Sequence, residues 1–208
     1  MKQPLSVALV FLVSICSPAW AASPDEAAFE AMHGKIESAN TLRADFVQER
    51  HLKILKRSLK SSGKFLLQQD EGVLWQVVEP HEVTYLIRSD EVVEWGGEGG
   101  PRRLAMSSVP AFRLMTKMFL GALGGDLSVL RSNFRAELLS SEKGWRVRLL
   151  PSSDSLAELI VSIEVAGDHF VEEVVFNETA GDAMHFHFFN SAADPAGPSE
   201  AERAYFAQ

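Results

Sequence analysis

Cysteine is almost absent: the 208-residue chain has one, Cys16. No internal disulfide is available, so stability must come from a packed core. No apolar run after Ile15 is long enough to span a bilayer. Basic residues are also scarce, 20 Lys and Arg against 28 Asp and Glu, for a formal charge of −8. That balance argues against a nucleic-acid partner, since phosphate binding needs a basic surface. Catalytic signatures are missing too. Gly96-Gly97-Glu98-Gly99-Gly100 is not closed by Gly-Lys-Ser/Thr and has no dinucleotide spacing, so it reads as a hairpin tip. Ser107-Ser108 has no nucleophile-elbow context and reads as a helix cap. Asp45 and Glu49 read as solvent-facing acids on an alternating strand, not as a carboxylate pair.

What is present begins with a leader. Lys2, the apolar stretch Leu5 to Ile15 and the small-x-small triplet Ala19-Trp20-Ala21 make a three-part secretory signal. Cleavage is expected after Ala21, leaving residues 22–208 as one domain. Ile15 before Cys16 is a poor match to a lipoprotein signal. An exported chain without disulfides fits a bacterial periplasm.

Ser23-Pro24-Asp25-Glu26 has the form of a helix start, and Ala28, Met32, Ile36 and Ala39 recur at helical spacing to about Asn40. From Leu42 the period changes to two. Leu42, Ala44 and Phe46 are expected on one face, and Arg43, Asp45 and Val47 on the other. Strand-like runs follow near 58–68, 73–78, 83–88 and 92–95, with short turns that make an antiparallel meander. Pro110 to Leu123 reads as a second helix with Phe112, Met115 and Phe119 on one stripe. Strands resume near 134–140, 145–150, 159–165, 170–177 and 183–190. The tail from Asp194 to Pro198 reads as a linker. About ten antiparallel strands in one small domain must curl or close, and the two helices need cover. The expected fold is mainly β: a strongly curved antiparallel sheet with both helices over its mouth or concave face.

Two constellations invite a chemical reading. His185 and His187 share one face of a strand, with Met184, Phe186 and Phe188 on the other. Zinc would need a further ligand, and nothing makes nearby Asp182 converge on them. The plainer reading is two polar positions facing solvent. The second constellation is apolar. Thirteen phenylalanines and the helical methionines Met32, Met115 and Met118 can line an adaptable greasy site. Composition alone favours an ordinary core.

Several segments together resemble the outer-membrane lipoprotein carrier family, the LolA-like proteins. Leu42-Arg-Ala-Asp-Phe-Val-Gln48 after a helix is similar to the family's Phe-x-Gln opening strand. Ser62-Gly63-Lys64-Phe65 resembles its Gly-containing second strand, and Trp75 with Pro80 its tryptophan strand. Ser89-Asp90, followed by Trp95, resembles its Ser-Asp-Gly turn. The resemblance covers about residues 25 to 95. It implies an incomplete β-barrel lidded by helices, and a periplasmic carrier that makes and breaks no bond and needs no cofactor. Implied partners are a lipoprotein or (glyco)lipid cargo, an inner-membrane donor and an outer-membrane acceptor, with the carrier itself a monomer. On that reading Phe46, Phe65, Leu67 and Trp75 line the sheet side of a lipid cavity. Met32, Ile36, Phe112, Met115 and Phe119 line its lid side. The family's arginine six residues before the tryptophan is Gln69 here, and its Ser-Asp-Gly is Ser89-Asp90-Glu91, which suits a divergent branch. Alternatives are a lipid-dependent sensor or assembly factor on the same fold, and a metal-dependent hydrolase using His185 and His187.

Overall fold

The structure is a computed structural model. It describes residues 24–37, 39–55, 57–97, 100–105, 121, 126–139 and 143–208. The leader and, apart from Gly121, the expected helix from Pro110 to Leu123 lie outside them. So do Ser107, Ser108 and part of the glycine run.

Eleven antiparallel strands form one sheet: β1 (Thr41–His51), β2 (Leu59–Gln68), β3 (Gly72–Glu79), β4 (Val83–Ile87), β5 (Glu91–Trp95), β6 (Arg102–Ala105), β7 (Phe134–Leu138), β8 (Trp145–Pro151), β9 (Ile160–Gly167), β10 (Val171–Glu178) and β11 (Ala183–Ala193). Their order is β6-β5-β4-β3-β2-β1-β11-β10-β9-β8-β7, so among the described residues β6 and β7 are the edge strands and the sheet does not close. Four helices accompany it among the described residues: α1 (Pro24–His33), α2 (Ser128–Asn133), α3 (Asp154–Ala157) and α4 (Glu200–Phe206). The expected mainly-β, incomplete-barrel class is the observed one. The sheet has one strand more than expected, because β6 pairs with β5 through Arg103–Glu91 and Arg102–Glu94 contacts. Its sequence, Arg-Arg-Leu-Ala, carries almost no apolar alternation to read.

The meander leaves β1 and β11 to join the two halves, with Phe46 opposite Phe188 and Gln48 opposite Phe186. The expected alternation in β1 holds: Leu42, Ala44 and Phe46 are buried, while Arg43, Asp45 and Val47 are half-buried. On the inner face, Trp75 of β3 meets Phe186 of β11 with ring centroids 5.8 Å apart. Three strand spacings on a flat sheet would separate those strands by about 14 Å, so the sheet curls around this face. At the bulge between Ser62 and Gly63, a β-carbon on Gly63 would lie 1.9 Å from the Gln76 carbonyl oxygen. Only glycine permits that approach of β2 to β3.

Helix α1 buries Ala28, Phe29 and Met32 in the main core. Asp25 accepts from the Ala136 N–H of β7 at 3.1 Å. Arg131 of α2 binds Glu26 and Glu30 at 2.5 and 2.8 Å and lies 5.2 Å from the Phe29 ring centroid. The helix is shorter than its periodicity suggests, because Gly34 interrupts it one residue after His33. Ile36 still packs against the core.

The tail is not a linker. Ser199 and Glu202 form a capping box that starts α4. Its Phe206 joins Leu66, Leu74, Leu86 and Val93 in a second apolar cluster on the outer face. Arg43 clamps this tail through Asp194 at 2.5 Å, Glu202 at 2.6 Å and the Gly197 carbonyl at 3.2 Å. The guanidinium holds the Glu202 carboxyl down at about 2, against burial, which raises it. It lowers Asp194 in the same way. A carboxylate depressed by folding stabilises above its unfolded pKa and loses that contribution as pH falls through the folded value. Protection of the α4 amides, relative to intrinsic exchange at each pH, is therefore expected to fall as pH drops from near 4.5 towards about 2. Arg43→Gln should give fast exchange already at neutral pH and flatten the profile. An unchanged α4 in that variant would assign the docking to Phe206, to Tyr205 against Trp95 and to the Arg88 hydrogen bond with the Phe206 carbonyl.

Candidate functional site

The inner face carries an aromatic cluster drawn from five strands. Phe46 of β1 is opposite Gly63 of β2. With no side chain at Gly63, its ring crosses β2 and reaches Trp75 of β3, at a centroid distance of 3.9 Å. Phe65 stacks on Trp75 at 6.1 Å and meets Phe188 edge-on at 5.4 Å. Phe186 stacks on Phe188 and meets Phe176 of β10 edge-on, each at 6.1 Å. Such edge and offset contacts add about 0.5–1.5 kcal/mol per pair beyond area burial.

Five of the nine residues placed by sequence on the cavity lie in the main core cluster: Met32, Phe46, Phe65, Leu67 and Trp75. Ile36 packs at its margin. Phe112, Met115 and Phe119 lie outside the described residues. Phe46 and Met32 are fully buried, and Trp75 is 6% exposed, so the centre of the cluster is packed interior. The accessible part is the margin: Val77, Tyr85, Ile87, Met184 and Phe186 are half-buried against the same cluster. Sequence reasoning missed these residues. The face shared by Met184, Phe186 and Phe188 was legible, but not that it lies opposite Phe46. Burial, with Glu94 beside it, pushes the Tyr85 phenol up, which keeps it neutral.

The inner face turns polar towards the β1–β2 hairpin. Gln48 Nε2 lies 3.4 Å from the Met184 sulfur. Arg50 is opposite Met184. Its Nε is buried without a hydrogen-bond partner among the described residues, and its Nη2 is 3.9 Å from Glu178. At the other rim a cleft of about 550 Å³ touches the core through Leu67 and Val129. Its wall is mixed, with Gln68, Gln69, Asp70, Arg88 and Asp126 beside Ala39, Gly72 and Gly121. Gln69 here donates its N–H to the Asn40 carbonyl at 2.8 Å.

His185 and His187 do share the outer face and are exposed. His185 meets the His51 ring edge-on at 4.9 Å, and His187 stacks on Phe189 at 5.9 Å. With Glu49 and Glu173 they border a hollow of about 290 Å³. Among the described residues no three His, Cys, Asp or Glu side chains gather as a metal site. Asp182 instead accepts from the Lys53 N–H at 2.9 Å. The acids of β1 are likewise engaged: Asp45 accepts from Asn190 at 2.7 Å, and Glu49 pairs with Lys60 at 2.6 Å.

No curated protein matches the sequence significantly. The chain is similar to several solved structures. A LolA superfamily protein from Nitrosomonas europaea is 10% identical, with 83% of this chain and 94% of that chain covered and a TM-score of 0.46. A DUF1329 family protein from Desulfovibrio piger is 11% identical, with 89% and 98% covered and a TM-score of 0.47. The Pseudomonas aeruginosa MucA/MucB complex contains a chain 15% identical, with 85% of this chain but only 57% of that chain covered and a TM-score of 0.46. A family model described as outer membrane lipoprotein carrier protein LolA-like matches residues 21–201. That match takes in nearly every strand and helix described above, and the chain belongs to this LolA-like family.

Proposed function

We propose that this protein is a periplasmic, non-enzymatic carrier that shields the acyl chains of a lipoprotein or (glyco)lipid between the inner and outer membranes. One observation supports it above the others: the inner aromatic cluster ends in a half-buried apolar margin of Tyr85, Ile87, Met184 and Phe186. Each methylene removed from water contributes about 0.8 kcal/mol, so a chain of a dozen gains about 10 kcal/mol. Rings and a thioether can re-pack around a chain of variable shape. Gln48 and Arg50 sit at the polar end of that face, where the head of the cargo would lie. A carrier of this kind takes its load from an inner-membrane donor and yields it to an outer-membrane acceptor, and it needs no cofactor.

The test is the content of the protein itself. Organic extraction of protein purified from the periplasm, followed by mass spectrometry, is expected to release about one acyl-bearing molecule per chain. The purified protein should also take up a fluorescent acyl probe after delipidation. Protein that carries no such molecule and takes up no probe would sink the reading.

A further inference from the structure

The segment from Arg50 to Gln69 holds six of the chain's 20 Lys and Arg residues and none of its 28 Asp and Glu residues. Most of these cations cluster where β1 turns into β2, in a protein that is acidic elsewhere. The same turn shows water its apolar side chains. Ile54 is 89% exposed, Leu55 43% and Leu59 48%. One exposed aliphatic residue would be ordinary; three within one turn are a local apolar cluster of the kind that marks an interaction site.

The tip is held in place. The Lys53 N–H donates to Asp182 at 2.9 Å, the Leu55 N–H to the Leu52 carbonyl at 2.8 Å, and Ser58 Oγ lies 2.9 Å from His51 Nδ1. Three acids approach it. Glu49 is taken by Lys60, Glu178 faces Arg50 at 3.9 Å, and Asp182 is occupied by the tip backbone. No ion pair among the described residues ties Lys53 or Arg57.

We propose that the β1–β2 hairpin tip is a membrane-docking element. Lys53 and Arg57 meet lipid phosphates, while Ile54 and Leu55 enter the acyl boundary of an anionic leaflet. Cations flanking a few exposed aliphatic side chains match the headgroup interface, where charge attracts and apolar tips insert. A soluble protein partner fits less well, because a stable complex buries about 800 Å² on each partner and this tip offers only a few apolar side chains. β1 ends at His51, five residues and about 17 Å beyond Phe46, and the tip follows it. The inference stands on the hairpin alone and holds whatever the aromatic face carries.

Co-sedimentation of the purified protein with vesicles tests it. Binding is expected to vesicles of equal parts phosphatidylcholine and phosphatidylglycerol, and to weaken with salt. Vesicles of phosphatidylcholine alone should retain little. Each cation near an anionic surface raises partition about fivefold, so Lys53→Gln with Arg57→Gln should lower it about 25-fold. Ile54→Ser with Leu55→Ser should lower it at least about tenfold while leaving the salt dependence in place. All these side chains are at the tip, so circular dichroism melts and acyl-probe uptake should match the parent protein. Absence of vesicle binding, equal binding to both vesicle types, or tip variants that sediment like the parent would each overturn the proposal. So would variants that lose a soluble protein partner while still sedimenting with vesicles.

Discussion

Phe46→Ala is expected to remove about 3–5 kcal/mol of folding free energy and to lower Tm by about 10 °C. Phe46 has no exposed surface. Its ring is central to the inner face, against Trp75 across β2 and opposite Phe188 on β11. Deleting it loses the transfer energy of a large side chain and leaves a cavity beside Gly63, which has no side chain to fill it. The rings that remain are fixed by strand register and cannot collapse freely into the space. Urea and thermal unfolding of the variant measure the loss. A cost under about 1 kcal/mol would mean that the centre of the cluster is loosely packed.

Phe186→Glu should behave differently. Its affinity for an acyl probe is expected to fall at least about a hundredfold, while the fold survives with a smaller loss of stability. Phe186 is half-buried on the margin of the same cluster, opposite Gln48 on β1 and Val174 on β10. In the free protein a carboxylate there can turn towards water. With an acyl chain in place it would be desolvated without a partner, which costs several kcal/mol. Met184→Glu, next along the same face, should act in the same direction. Phe189→Glu is the control, since Phe189 is 40% exposed on the opposite side of the strand. Probe binding by each variant, measured beside its melting curve, separates the outcomes. If Phe186→Glu unfolds the protein, the margin belongs to the structural core. If it folds and binds as well as the parent, the cargo lies elsewhere.

The two variants probe what the sequence could and could not show. Leu42, Ala44 and Phe46 announced their shared face by alternation, because a strand orients successive side chains oppositely whatever it pairs with. The capping box at Ser199 and Glu202 was equally local, but the proline- and glycine-rich residues before it suggested a linker. The α4 helix forms there because its Phe206 finds an apolar outer patch of Leu66, Leu74, Leu86 and Val93. Nothing near residue 206 in the chain reveals that patch. The β6 edge was illegible for a related reason: its ion pairs with β5 involve side chains that also suit an exposed loop.

By itself the sequence determined the strand and helix periods, the antiparallel meander and the residues that share a face. Its motifs pointed to the LolA-like family, and the family match over residues 21–201 agrees. Only the tertiary structure decided which faces meet. The β1–β11 junction sets Phe46 against Phe188 and brings Phe186 towards Trp75, so two apolar faces far apart in sequence become one curved wall. The physical reason is that side-chain direction follows from local backbone geometry. Pairing across the sheet is a long-range choice made by the burial of the whole core.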